Sequence, residues 1–134
     1  MEQKPLELIL ARNLLTSLDT PAFLVGADGE LLFYNEAAGA LLGTSFEESG
    51  RMPASEWGEA FGPFDSEGRR IPYEQLPTTQ ALRRGAPALG HHTIRSLKGG
   101  EHEIDVTVLP IIAADGQRGA MGFFWSHRAD GEVG

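Results

Sequence analysis

The sequence contains no cysteine. Disulfide bonds, thiolate metal sites and cysteine nucleophiles are therefore excluded. No apolar run approaches the roughly 20 residues that a membrane-spanning helix requires, so we expect no membrane partner. The segment Met1–Lys4 lacks the charged-then-apolar pattern of a signal peptide. Together these absences predict a cytoplasmic protein.

Clustered basic charge is also missing. The net charge is −8 over 134 residues, whereas a nucleic-acid partner would require a concentrated basic surface. Arg69-Arg70 and Arg83-Arg84 lie among many acids and are interpreted as solvated surface. The sequence has no P-loop, dinucleotide fingerprint or nucleophile-elbow motif. We therefore expect neither a nucleic-acid partner nor an enzyme, and we assign no catalytic residue.

The chain opens with a predicted helix. Pro5 suits a first helical turn, and apolar residues recur at helical spacing from there to Leu18. Leu8 and Leu15 widen this apolar stripe beyond the needs of one packing face. Residues 1–18 therefore form either a helix that only covers its own domain or one that also docks a second copy.

A hairpin and a capped helix follow. Strands are predicted over 22–26 and 30–34, joined by a tight turn at Asp28-Gly29. Asn35 is suited to cap the helix 36–42, because its side-chain oxygen can accept from an unpaired amide of the first turn. Gly43 is a suitable residue to end that helix.

The rest of the chain is predicted as short helices and then a meander. Residues 44–72 are irregular, with a short helix near Trp57, and a helix follows over 77–84. Strands are predicted over 89–97, 101–111 and 118–127. The domain core thus spans 19–127, and the polar, glycine-rich residues 128–134 are expected to be disordered.

The last strand has two apolar faces, which places it in the middle of a sheet. One face carries Met121, Phe123 and Trp125, and we expect the opening helix to pack there. The other face carries the small residues Ala120 and Gly122. Because glycine in a strand often marks a close approach, either a ligand or a helix backbone is expected beside them.

The ordered motifs resemble those of PAS domains. An apolar strand, a DG turn, a second strand ending in an aromatic residue and Asn, and a helix closing on Leu-Gly correspond to Phe23–Val25, Asp28-Gly29, Leu31–Asn35, Ala37-Ala38 and Leu41–Gly43. The segments Asp65–Pro72, Glu74–Pro77 and Ala81–Gly85 resemble a variant common in bacterial sensor proteins.

This resemblance implies an α+β fold. Its five-stranded antiparallel sheet has the spatial order 2-1-5-4-3, with short helices on one face and the N-terminal helix on the other. A pocket lies between the sheet and the short helices. The residues that we assign to it are Tyr34, Asn35, Trp57, Phe61, Leu82, Ile104, Val106, Val108, Ala120, Gly122 and Phe124. Tyr34 and Trp57 could either bind a ligand or be core aromatics with satisfied polar tips.

The family's known cofactors fit poorly. In this family, flavin photoreceptors and thiol-linked chromophores need a cysteine, and this sequence has none. The haem-binding histidine of the family usually lies on the helix before the third strand, and the corresponding helix 77–84 contains no histidine. His91 and His92 are adjacent on a strand and face opposite ways. His127 could approach His102 across the last hairpin, but two histidines do not complete a zinc site. We expect no metal, and the cofactor is unknown.

Three functions are compatible with this interpretation. The first is a sensory or signalling module that binds an unidentified small molecule, dimerises, or both, and acts on a separate signalling protein. The second is a ligand-free interaction module, and the third is a haem-binding, other cofactor-binding or enzymatic variant. The residues assigned to helix docking and a homodimer are Leu6, Ile9, Leu10, Leu14, Met121, Phe123 and Trp125.

Overall fold

A computed structural model describes residues 6–127. The predicted disordered tail, 128–134, lies outside the described residues. In chain order the elements are α1 Leu6–Thr16, β1 Ala22–Val25, β2 Leu31–Tyr34, α2 Glu36–Leu42, α3 Phe46–Ser49, α4 Ala54–Phe61, a 3₁₀ turn Tyr73–Gln75, α5 Pro77–Arg84, β3 Ala88–Arg95, β4 Glu101–Ile112 and β5 Arg118–Ser126.

The five strands form one antiparallel sheet in the order β2-β1-β5-β4-β3. This confirms the predicted fold class and strand order. β5 lies between β1 and β4, so both of its edges are paired, and its residues also belong to apolar clusters on both faces of the sheet. The one helix that the sequence did not predict is α3, a single turn that begins after the capping residue Ser45.

Each face of the sheet has its own apolar cluster. On the inner face, the short helices cover Val106, Val108, Ala120 and Phe124. On the outer face, α1 covers β1, β2 and part of β5 through a second cluster. Among the described helices, none is both long and apolar enough to cross a membrane.

Two polar side chains attach the helices to the sheet. Arg118 of β5 donates to the carbonyls of Leu82 and Arg83 at 2.8 and 2.9 Å, which anchors the end of α5. Asn35 lies between β2 and α2, and only 3% of it is exposed. Its side chain is hydrogen-bonded to both α1 and α2.

Asn35 makes hydrogen bonds in two directions. Its Oδ1 accepts from the amide of Ala38, which caps α2, and from the amide of Ala22 in β1, at 3.0 and 3.1 Å. Its Nδ2 donates to the carbonyls of Leu15 in α1 and Thr20 at 3.0 and 2.8 Å. One buried amide therefore connects α1, β1 and α2.

Candidate functional site

A cavity of about 110 Å³ lies between the inner face of the sheet and the helices α4 and α5. Its wall is almost entirely apolar. All five strands and the helices α2, α4 and α5 contribute residues to it. The irregular segment between α4 and α5 pairs with the edge of β3, where Phe64 exchanges two backbone hydrogen bonds with Thr93 at 2.8 and 3.0 Å. Of the residues assigned from the sequence, those in the wall are Tyr34, Trp57, Phe61, Ile104, Val106 and Phe124.

The other five assigned residues lie outside the wall. Leu82, Val108 and Ala120 are buried in the inner apolar cluster. Asn35 is committed to the backbone groups of α1, β1 and α2, so its amide has no direction left in which to meet a ligand. Gly122 lies against the ring of Phe23.

Gly122 is close to another group, but that group is neither ligand nor helix. A side chain at 122 would overlap the ring of Phe23, which lies across the glycine from the neighbouring strand β1. Phe23 also lines the cavity and contacts Phe124, with ring centroids 6.1 Å apart. The missing side chain in β5 therefore makes room for a wall residue of the cavity.

The polar tips of Tyr34 and Trp57 are already satisfied. The Tyr34 hydroxyl donates to the carbonyl of Thr44 at 2.8 Å and lies 3.0 Å from Ser49 Oγ. Trp57 Nε1 donates to the carbonyl of Gly29 at 2.8 Å. Burial raises the pKa of Tyr34, so its phenol is neutral. Both residues therefore offer the cavity only aromatic surface.

His92 is the polar feature of the cavity, and sequence reasoning missed it. Its Nε2 is a buried side-chain atom without a hydrogen-bond partner, and within residues 6–127 no other buried side-chain nitrogen or oxygen is left so. Burial, and secondarily the charge of His91, lowers the pKa of His92, so the ring is neutral near pH 7. A neutral imidazole can donate or accept one further hydrogen bond.

The signal that could have identified His92 is strand alternation. Ile94 is apolar and buried, and His92 lies two residues before it, on the same face of β3. The opposed directions of His91 and His92 were recognised from the sequence, but the inward one was not assigned to the pocket. Other wall residues that were not assigned include Val25, Leu31, Leu76, Pro77 and Thr78.

The helix α1 has two apolar faces. Leu8 and Leu15 are buried against the sheet, in the same cluster as Met121 and Phe123 of β5. The residues assigned to docking lie on the other side of the helix, with Leu6 64%, Ile9 47%, Leu10 56% and Leu14 51% exposed. Trp125 lies beyond the helix and is 44% exposed. The contact between α1 and the sheet is therefore made by Leu8 and Leu15, the two leucines that widen the apolar stripe of the helix.

No protein-family model matches the sequence, and a search of curated proteins gave no match. Solved structures do match. The PAS domain of nitrogen regulation protein NR(II) from Vibrio parahaemolyticus has a TM-score of 0.63 at 17% identity, over 88% of this chain and 98% of that one. A PAS domain from a two-component sensor histidine kinase has a TM-score of 0.62 at 16% identity, over 91% and 97%.

The PAS domain of BvgS from Bordetella pertussis is also similar, with a TM-score of 0.60 at 14% identity, over 92% of this chain and 87% of that one. In each case the similarity extends over nearly the whole of both chains. At these identities the likeness establishes the fold. The chain has the PAS fold, as the sequence motifs implied.

Proposed function

We propose that this chain is a sensory module that binds a small, mostly apolar molecule with one hydrogen-bonding group in the cavity beside His92. The observation that carries this proposal is the unpaired Nε2 of His92, a wall residue whose ring nitrogen lies beside Gly90 and would be turned toward the cavity by a small ring rotation. A buried polar atom without a partner costs free energy. A ligand hydroxyl, carbonyl or carboxyl group would remove that cost.

The cavity limits the size of the ligand. An apolar protein cavity of about 150 Å³ accepts benzene, so a cavity of about 110 Å³ sets an upper limit near a single small ring, and a substituted ring would require some side-chain adjustment. The apolar wall would select against charged or highly polar compounds, because few groups could replace their water. The matching PAS domains of a sensor histidine kinase and of a nitrogen regulation protein support a sensory role.

Strands β1 and β5 connect the cavity on the inner face of the sheet with the helix α1 on the outer face. Their inward residues Phe23 and Phe124 line the cavity. Their outward residues, among them Leu24 and Phe123, belong to the cluster that holds α1. A ligand that favours one arrangement of these strands would therefore favour one position of α1. A separate signalling protein could detect that position.

Phenol and toluene provide a direct test of the His92 contact. They have nearly the same shape, and only phenol can hydrogen-bond to Nε2. We expect the ratio of phenol affinity to toluene affinity to fall about fivefold in the variant His92→Leu, since one hydrogen bond contributes roughly 1 kcal/mol. Chemical-shift titrations of the labelled protein measure both affinities.

His102→Leu is the matched control, because His102 is a second histidine on a neighbouring strand that does not line the cavity. Its affinity ratio should equal that of the unmodified protein. An unchanged ratio in His92→Leu would refute the proposed anchor. Native mass spectrometry of protein purified from its own host then tests sensing itself. A protein that retains no molecule and binds neither probe would instead be a ligand-free interaction module.

A second function, pairing with another copy, is favoured by the exposed stripe of α1. Leu6, Ile9, Leu10 and Leu14 form one apolar surface at the helical spacings i, i+3, i+4 and i+8. Two such stripes facing each other would remove all four residues from water in both copies. We propose this homodimer alongside ligand binding, since the same helix is held by the cavity strands.

The variant Leu10→Glu, Leu14→Glu should be monomeric at concentrations where the unmodified chain is dimeric. A carboxylate in the middle of an apolar interface loses its water without gaining a partner, which opposes association. Analytical ultracentrifugation measures the state. Leu97→Glu is the control, because Leu97 is 55% exposed and distant in sequence from α1. A dimer that persists in the double variant would contradict the pairing through α1.

A further inference from the structure

Three strands bring two histidines and a carboxylate together on the outer face of the sheet. His91 of β3 lies directly opposite Asp105 of β4. His127 follows β5 and donates its amide to the carbonyl of Glu103 at 2.8 Å, so it lies diagonally across from Asp105. The expectation that His127 approaches His102 is wrong, because His102 occupies the opposite face of β4, paired with Ile94.

The two imidazoles converge on the same carboxylate. Nδ1 of His91 lies 3.0 Å from Asp105 Oδ1, and Nδ1 of His127 lies 2.9 Å from Asp105 Oδ2. The ring centroids of the two histidines are 4.2 Å apart. The three ligand atoms all lie within 4.8 Å of one another. The remaining carboxylate nearby is Glu103, whose Oε1 lies 2.7 Å from Nε2 of His91.

We propose that His91, Asp105 and His127 form a Zn²⁺ site, with water as the fourth ligand. Zinc prefers imidazole nitrogen and carboxylate oxygen at about 2.0–2.2 Å in a tetrahedron, which separates its ligand atoms by about 3.3 Å. The present nitrogen-to-oxygen distances, 3.0 and 2.9 Å, are hydrogen bonds to the two oxygens of Asp105 and are somewhat shorter than that separation. Small side-chain movements therefore suffice to admit the ion, and the paired strands already hold the backbone.

Glu103 completes the arrangement outside the ligand set. A histidine that binds a metal through one ring nitrogen commonly donates from the other nitrogen to a carboxylate, which orients the ring. His91 would bind through Nδ1 and donate from Nε2 to Glu103. Zinc binds imidazole rings in their neutral form.

Surface access is consistent with an ion that enters from solvent. The side chains of His91, Asp105 and His127 are 45%, 35% and 37% exposed. The helix α1 covers β1, β2 and only the distant end of β4, near Ile111. The site is therefore open on one side, which leaves room for the fourth ligand. It is separate from the cavity, which lies on the other face of the sheet.

The test titrates the untagged chain with zinc chloride at about pH 8, above the usual pKa of histidine, and follows heat by calorimetry. We expect one ion per chain and a higher midpoint of thermal unfolding, because the ion binds the folded state. Cobalt(II) should give the strong visible absorption of a tetrahedral site. Glu103→Gln should weaken zinc binding about 10–100-fold, and His127→Gln should weaken it further.

His102→Gln is the control, since it removes a histidine from the same strand as Asp105 and leaves the proposed ligands in place. Its zinc affinity should equal that of the unmodified chain. Two results would overturn the site. One is a dissociation constant for zinc above about 1 mM. The other is equal binding by the unmodified chain and by His127→Gln, both with normal unfolding midpoints in the absence of zinc.

Discussion

Replacement of Asn35 by alanine is expected to lower the free energy of unfolding by about 3–5 kcal/mol. The change removes the cap of α2, which alone contributes about 1 kcal/mol. It also leaves the amide of Ala22 and the carbonyl of Thr20 without that partner, whereas the carbonyl of Leu15 still accepts from the amide of Leu18 at 3.2 Å. Each buried group left unpaired costs about 1–3 kcal/mol. Because water can reach some of these groups, the total loss of stability should stay below the sum of the largest values.

Urea unfolding of the unmodified chain and of Asn35→Ala measures this loss. Asn13→Ala is the control, because Asn13 is exposed on α1 and should change stability by no more than about 0.5 kcal/mol. Asn35→Asp keeps the acceptor oxygen but presents a carboxylate to two carbonyls, so it should also be strongly destabilising. A loss below about 1 kcal/mol in Asn35→Ala would show that the backbone groups find other partners.

Leu15→Ala should lower the free energy of unfolding by about 2–5 kcal/mol, the usual range for a buried leucine. Leu15 has no exposed surface and lies at the centre of the contact between α1 and the sheet. The adjacent variant Leu14→Ala is a matched control. Leu14 is 51% exposed, so its loss should stay near 0.5 kcal/mol in a monomer. Urea unfolding at low protein concentration distinguishes the two.

Equal losses in the two variants would mean that α1 packs through its other face. That outcome would also remove the exposed stripe on which the proposed homodimer depends. Leu15 and Asn35 hold the same helix, one by apolar contact and the other through the Leu15 carbonyl. Their effects should therefore not be additive when the two substitutions are combined.

The fold could be predicted because local patterns and long-range packing agree. The turn at Asp28-Gly29, the capping residue Asn35 and the terminator Gly43 each act within a few residues, and the structure has all three, with φ of 85° at Gly43. The two apolar faces of β5 predicted its central position in the sheet, which the strand pairing confirms. Such patterns report which residues are buried, but not which distant residue lies beside them.

The cavity wall was only partly predictable for that reason. Gly122 was interpreted as a point of close approach by a ligand or a helix backbone, but the group beside it is the ring of Phe23 from another strand, which no local pattern indicates. Asn35 was recognised as a cap, but its bonds to α1 depend on where that helix ends. The convergence of His127 and His91 depends on the register of two strand pairs, which spacing along the chain does not specify.

The contact between Phe23 and Gly122 has a consequence for the evolution of this domain. The ring of Phe23 occupies the space that a side chain at 122 would fill, and the same ring forms part of the cavity wall. A larger residue at 122 would therefore require a smaller one at 23 or a smaller cavity. Homologues should show these two positions changing together.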